Sequence, residues 1–134
     1  MDDYEDASKR HLADAEVLFV QAPQRLANAS HLFGISAECS LKRIAKKFEP
    51  NAKLNRRTGH IPDLFAELIN IAPAIGANAD LVKNIAAIEL QFASWNVAQR
   101  YASRTDFLEG IVALERTGAN DAHLLMTNCL QGLI

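Results

Sequence analysis

Apolar residues recur every three or four positions along most of the chain, the spacing that places them on one face of an α-helix. The first such segment runs from residue 2 to about residue 20, and the second from about residue 25 to residue 48. Three more begin at Pro62, at Asn78 or Asp80, and near residue 107. The sequence contains no alternating run long enough for a strand. The pattern therefore predicts an all-α, five-helix up-and-down bundle.

Turn-forming residues separate these segments. Pro23 cannot continue the first helix, and residues 49–62 form the longest polar connection, which we expect to be a loop. Pro73 and Gly76 are expected to end the third helix. The residues "TGAND" leave open whether the last helix is continuous through Gly118.

The middle of the second segment contains small residues, Gly34, Ser36, Ala37 and Ser40. Small side chains let a neighbouring helix approach closely. Glycine within a helix costs about 1 kcal/mol relative to alanine, so close packing is the expected reason for Gly34.

The composition is that of one globular domain covering residues 1–134. Hydrophobic residues make up 49% of the chain, against 22% charged residues. The start "MDDYEDASKRHL" does not resemble a secretory signal, and no apolar stretch approaches the roughly 18 residues of a membrane span. These features predict a soluble, cytoplasmic protein that does not bind membranes. Cys39 and Cys129 lie in separate apolar patterns and are expected to be buried hydrophobic residues rather than a disulfide.

Positive charge is concentrated in residues 42–57, although the formal net charge of the chain is −2. Lysines near a helix C-terminus complement the helix dipole without any ligand. The alternative is a surface that faces phosphate groups. Aromatic stacking residues are absent from this stretch, which disfavours sequence-specific readout of a single strand. The basic patch consists of Lys42, Arg43, Lys46, Lys47, Lys53, Arg56 and Arg57, with Glu49 as the one acid.

The segment "WNVAQRYASRTDF", residues 95–107, joins the last two predicted helices. Trp95 is expected to cap the core, and Tyr101 to bury its ring with the hydroxyl group toward solvent or a partner. Arg100 is suited to a phosphate or carboxylate ligand, but a structural salt bridge to Glu89 or Glu38 would explain it equally well.

Three segments together resemble the HEPN family, small all-α bundles of bacteria and archaea. They are "ASHLFGISAECSLKRI" in the second helix, "HIPDLFAEL" at the start of the third, and "WNVAQRYAS" after the fourth. Their order and spacing agree with the family pattern over most of the chain. The resemblance implies a HEPN-like bundle that often forms a homodimer.

Members of that family serve as metal-independent ribonucleases in toxin–antitoxin and defence systems, as partners of nucleotidyltransferases, or as non-catalytic modules that bind RNA or nucleotides. The ribonucleases carry an Arg followed about four to six residues later by a His. Here Arg100 is followed at positions 105–107 by Thr, Asp and Phe, and the first His after Arg104 is His123. Because His transfers protons near neutral pH, its absence predicts a non-catalytic protein.

We therefore expect a non-catalytic module that binds a nucleotide, RNA or a partner such as a nucleotidyltransferase. One alternative is a metal-independent endoribonuclease that combines Arg100 with His60, and another is a purely structural homo-oligomer. No cofactor and no metal site is predicted, because the remaining histidines lack a suitably spaced ligand. The expected ligand groove is lined by Lys42, His60, Arg100, Tyr101 and Arg104.

Two of these residues also have plain structural interpretations. His60 precedes a predicted helix, where it could bond to the backbone or face an anion at the helix N-terminus. Lys42 lies four residues after Glu38, an arrangement that stabilises a helix through an ion pair.

Overall fold

The computed structural model describes residues 2–54 and 59–134, and these form an all-α fold. Helix α2 is the longest, and two short 3-10 turns, Val97–Tyr101 and Arg104–Asp106, lie between α5 and α6. No strand occurs in these two stretches of the chain. The described stretches contain six α-helices, α1 (Tyr4–Val20), α2 (Leu26–Phe48), α3 (Asp63–Ile71), α4 (Pro73–Gly76), α5 (Ala79–Gln91) and α6 (Glu109–Leu130).

Helix α2 is the centre of the bundle, since it packs against both α1 and α6, and α5 packs against α6. Its apolar face supplies core side chains along its whole length because apolar residues recur at helical spacing. The largest fully buried side chains come from every helix except α1, and also from the segment after α5. They include Phe33, Leu41, Ile44, Leu64, Leu68, Ile75, Leu81, Ile88, Phe92, Trp95 and Met126.

The small residues of α2 allow close approach of α1, as predicted. The hydroxyl groups of Ser8 and Ser40 are 2.6 Å apart, and Ser36 Oγ donates to the Ser8 carbonyl oxygen at 2.8 Å. All three serines are buried. The polar atoms at this interface therefore satisfy one another, which keeps the cost of burying them low.

A short helix after α3 is the main departure from the prediction. Helix α3 ends before Pro73, as predicted, but Pro73 then opens the one-turn helix α4, since a proline in the first turn needs no intrahelical N–H bond. The prediction of five helices therefore missed one. Asn78 caps α5, and its side chain accepts from Leu81 N at 3.0 Å.

The last helix is continuous. Gly118 lies within α6, and a Cβ there would come within 2.6 Å of Phe92 Cε2. The glycine is thus explained by close packing against the end of α5 rather than by a break. The middle and end of α6 bury apolar positions at helical spacing, Ala122, Leu125 and Cys129, but near its start Val112 and Glu115 are buried whereas Ile111 and Leu114 are exposed.

Both cysteines are free thiols, with Cys129 buried and Cys39 half-buried. Burial raises the pKa of the Cys39 thiol to about 11 and also raises the pKa of Cys129. Neither thiol is therefore activated for nucleophilic chemistry. Across the helices that the structure describes, none combines the length and the apolar character needed to cross a membrane.

Candidate functional site

Glu38 connects α2 to the segment that enters α3. Its carboxylate is almost fully buried and accepts from the backbone N–H of Ile61 at 2.9 Å. His60 Nδ1 lies 3.1 Å from Glu38 Oε2, with the imidazole half exposed. The His60 carbonyl oxygen accepts from Leu64 N at 2.8 Å, so the backbone of His60 also takes part in the helix entry.

Burial raises the pKa of the Glu38 carboxyl group above its usual value. The Ile61 N–H, the His60 side chain and the positive charge of Lys42 act in the opposite direction. Desolvation is the largest of these effects, so Glu38 binds a proton more readily than an exposed glutamate does.

Lys42 lies one turn after Glu38 and is also largely buried. Its Nζ atom is 5.8 Å from the centroid of the Tyr4 ring, a cation–π contact between α2 and α1. The expected ion pair between Lys42 and Glu38 is not among the ion pairs of the described residues; Glu38 bonds to His60 and Ile61 instead.

A groove of about 890 Å³ opens beside this cluster, at the C-terminal end of α2. Arg43, Lys46 and Lys53 line it, together with Tyr4, Asp2 and other residues. We refer to it as the basic groove. Tyr4 was missed as a groove residue because it lies nearly forty positions before the basic stretch, and only the packing of α1 on α2 brings it there. An aromatic ring therefore does accompany the basic residues.

Two lysines of the basic patch hold backbone atoms in place. Lys46 Nζ donates to the Ala52 carbonyl oxygen at 2.7 Å and to that of Pro50 at 3.3 Å. Lys47 Nζ donates to the carbonyl oxygen of Cys129 on α6. For these two residues the structural interpretation has direct support.

Arg43 and Lys53 remain as positively charged residues that line the groove. Arg43 is half-buried and Lys53 is exposed. Arg56 and Arg57, which belong to the predicted patch, lie outside the described residues.

Residues 95–107, which follow α5 and which we call the corner after α5, begin with Trp95. Its side chain is fully buried, as predicted. Its Nε1 donates to the Ser30 carbonyl oxygen at 2.8 Å, and the ring of His31 stacks on it with centroids 6.2 Å apart. The segment that follows is held by Gln99, whose Nε2 donates to Ser30 Oγ at 2.7 Å. The side-chain oxygen of Gln99 in turn accepts from Asn96 N at 3.2 Å.

The prediction for Tyr101 was wrong, because its side chain is 80% exposed. The 3-10 turn carries Arg100 and Tyr101 over the surface, and the Arg100 guanidinium carbon lies 4.9 Å from the Tyr101 ring centroid. Among the described ion pairs, none joins Arg100 to Glu89 or Glu38. Arg104 is exposed in the second 3-10 turn.

No contact among the described residues brings these residues together in one groove. The corner is tied to Ser30 near the start of α2, whereas Lys42 lies twelve residues later, about 18 Å along the helix axis at 1.5 Å per residue. His60 contacts Glu38, one turn before Lys42. None of the described contacts joins Arg100, Tyr101 or Arg104 to Lys42 or His60.

A second buried polar cluster was not predicted from the sequence. Ser30 Oγ donates to Glu115 Oε1 at 2.6 Å, and both residues are buried between α2 and α6. Burial raises the pKa of Glu115 to about 7, with the Ser30 hydrogen bond acting against that shift. In the sequence, the one sign of this cluster was that Glu115 lies at helical spacing from apolar positions of the last helix.

Comparisons with models of known protein families, with curated proteins and with solved structures find no match to this chain.

Proposed function

We propose that this chain is a non-catalytic binding module for a nucleotide or RNA, which it takes up in the basic groove. The observation that carries the proposal is the presence of Arg43, Lys53 and the Tyr4 ring in one concave surface. Guanidinium and ammonium groups bind phosphate, and aromatic rings stack on nucleobases. A surface with both features fits a ligand that has a phosphate and a base.

The charges that line the groove favour one orientation of the bound ligand. Asp2 and Asp3 line the groove as well, and carboxylates repel phosphate. Asp3 also caps α1, accepting from Asp6 N at 3.0 Å. A bound phosphate is therefore expected on the Arg43 and Lys53 side, with the base toward Tyr4.

The resemblance to the HEPN family supports the biological setting that we propose. In that setting the chain is a HEPN-like homodimer, a component of a toxin–antitoxin or defence system, and a partner of a nucleotidyltransferase. Purification of the tagged chain from its native cells tests the partner, and light scattering across protein concentrations tests the dimer. A monomer at all concentrations contradicts the dimer. A copurified complex without nucleotidyltransferase activity contradicts the proposed partner.

Fluorescence anisotropy with a labelled single-stranded RNA oligonucleotide tests the binding function. The double variant Arg43→Ala/Lys53→Ala should weaken binding by about tenfold at low salt. The slope of log K against log salt should fall by about 0.7 for each phosphate group that the variant no longer neutralises. The matched control is Arg25→Ala/Lys83→Ala, which removes the same charges from positions on other surfaces. Equal weakening in both variants, or no RNA binding by the unmodified chain, contradicts the proposal.

A second candidate function, metal-independent RNA cleavage, draws on the Glu38–His60 pair. A carboxylate that orients an imidazole is an arrangement used for proton transfer. The expected cooperation between His60 and Arg100 is not supported by any described contact, since His60 pairs with Glu38 and Arg100 lies over the Tyr101 ring. Incubation of the chain with RNA and a metal chelator decides between the functions: cleavage that His60→Ala abolishes favours the enzyme, and intact RNA excludes it.

A further inference from the structure

A smaller cavity of about 340 Å³ lies at the other end of α2, beside the corner after α5. Its base is formed by Glu115 and Ser30, and its walls include Phe107, Ile111 and Val112. Pockets for small ligands typically have this character, an apolar wall with a few polar groups that fix orientation. We refer to it as the Glu115 cavity. Nothing in the proposed function uses it.

Two polar groups that line the cavity already donate hydrogen bonds within the protein. The Ser30 hydroxyl group donates to Glu115 Oε1, and the Gln99 amide donates to Ser30 Oγ. The Ser30 hydrogen and one of the two Gln99 amide hydrogens are therefore already used. Within the described residues, Glu115 Oε2 takes no hydrogen bond, although the glutamate is only 2% exposed. Glu115 is one of the lining residues of the cavity, so this oxygen has acceptor capacity left for a ligand that supplies a donor.

The charged groups around the cavity have one sign. Asp106, from the second 3-10 turn, is the other ionisable residue in the described lining, which includes no Lys, Arg or His. Next to Glu115 on α6, Arg116 turns away and pairs with Glu16 of α1. The residues that face Glu115 from α2 and from the first 3-10 turn, Ser30 and Gln99, are uncharged. A cation is the ligand that complements this lining.

We propose that the Glu115 cavity binds a small organic amine, with its ammonium group on Glu115 and its apolar body against Phe107, Ile111 and Val112. An ammonium group supplies the hydrogen-bond donor that Oε2 lacks and neutralises the buried carboxylate. The volume suits a body the size of a single ring.

The pH dependence of binding follows from linkage. Because burial raises the pKa of Glu115 to about 7, the empty cavity holds a neutral acid at low pH. An ammonium ligand binds the ionised form better, so affinity should rise with pH through this range. A carboxyl group with this pKa gains roughly tenfold in ionised fraction between pH 6 and pH 8.

Tryptophan fluorescence provides the readout, because Trp95 is the one tryptophan of the chain and bonds to Ser30 at the base of the cavity. The probe is phenethylamine, and 2-phenylethanol is its uncharged counterpart. We expect saturable binding of phenethylamine that tightens about tenfold from pH 6 to pH 8, and binding of 2-phenylethanol that is weaker and independent of pH.

Variants distinguish the contribution of the Glu115 charge to binding from that of the space in the cavity. Glu115→Gln should remove the pH dependence and most of the affinity, whereas Glu109→Gln, at the exposed start of the same helix, should change neither. Ala102→Trp places a large side chain at the exposed rim and should block binding even if the Glu115 variant fails to fold. The proposal is overturned if phenethylamine does not bind, if 2-phenylethanol binds equally well, or if Ala102→Trp leaves affinity unchanged. None of these variants should change RNA binding in the basic groove. The amine-binding proposal and the RNA-binding proposal can therefore be contradicted independently.

Discussion

The indole ring of Trp95 occupies the space that a side chain at Gly34 would need. A Cβ atom on residue 34 would overlap the ring at Cε2, Cζ2 and Nε1. The same indole donates to the Ser30 carbonyl oxygen one turn earlier on α2. The absence of a side chain at Gly34 therefore allows the corner after α5 to pack closely against α2.

Substitution of Gly34 by alanine should destabilise the fold. The favourable change in helix propensity, about 1 kcal/mol, is outweighed because the buried ring cannot move without breaking its bond to Ser30. We expect a net loss of about 2 kcal/mol or more in the free energy of unfolding, measured by urea denaturation.

The matched control for that variant is Gly110→Ala. Gly110 lies in the first turn of α6, and a Cβ there meets nothing within 4 Å. Alanine should stabilise the chain at this position by about 0.4–1 kcal/mol. A Gly34 variant as stable as the Gly110 variant would contradict the packing described here.

Glu115 should make stability depend on pH. Its pKa in the folded state, about 7, lies above the value of 4.5 for an unperturbed glutamate, so the folded state binds the proton more tightly. Stability should therefore fall as the pH rises from about 4.5 to 7, by roughly 3 kcal/mol in total. The cost arises because ionisation places an unneutralised charge in a buried position.

Glu115→Gln tests this directly, since glutamine keeps an acceptor for Ser30 but cannot ionise. The variant should match the unmodified chain near pH 4.5 and exceed its stability above pH 7 in urea unfolding. Glu109→Gln is the control for loss of a negative charge at the exposed start of α6. If the free energy of unfolding varied with pH in the same way for the unmodified chain and Glu115→Gln, ionisation of Glu115 would not destabilise the fold.

Glu38 should matter mainly as a hydrogen-bond acceptor. In Glu38→Ala the buried N–H of Ile61 loses its partner, which costs about 1–3 kcal/mol. Glu38→Gln keeps an acceptor for Ile61 and removes a buried carboxyl group whose ionisation is disfavoured by burial. Thermal unfolding should therefore rank the alanine variant below the glutamine variant; equal destabilisation of the two variants would point to the charge instead.

Tyr4 should contribute to recognition of the base. Tyr4→Leu removes an aromatic face, and stacking is worth about 1–3 kcal/mol per base, so RNA affinity should fall by about fivefold or more. Tyr4→Phe keeps the ring and should bind RNA as the unmodified chain does. Binding of inorganic phosphate should be the same in both variants, and a weakening in Tyr4→Phe equal to that in Tyr4→Leu would exclude stacking.

The helical pattern was predictable because each segment carries its own periodicity. The close packing at Ser36 and Ser40 also followed from residue size alone. The end of the third helix before Pro73 was predicted, but the short helix that Pro73 begins was missed. Proline can both end one helix and begin another, and only the chain geometry around Ala72 and Ile75 shows that it does both here.

The candidate site was less predictable because it depends on contacts between distant residues. Tyr4 reaches the basic groove through α1–α2 packing, and Glu38 reaches Ile61 across a polar connection. The expected groove joined Arg100 to Lys42 because both lie next to family-like motifs, but the length of α2 keeps them apart. Neither the burial of Glu115 near the start of α6 nor the exposure of Tyr101 is encoded in local spacing.

The most direct test of the central claim is an NMR titration of the isotope-labelled chain with a short single-stranded RNA. Binding in the basic groove predicts that the largest amide shifts occur around Tyr4, Arg43 and Lys53, with residues 100–104 unchanged. Shifts confined to residues 100–104, or no shifts at millimolar RNA, would contradict it.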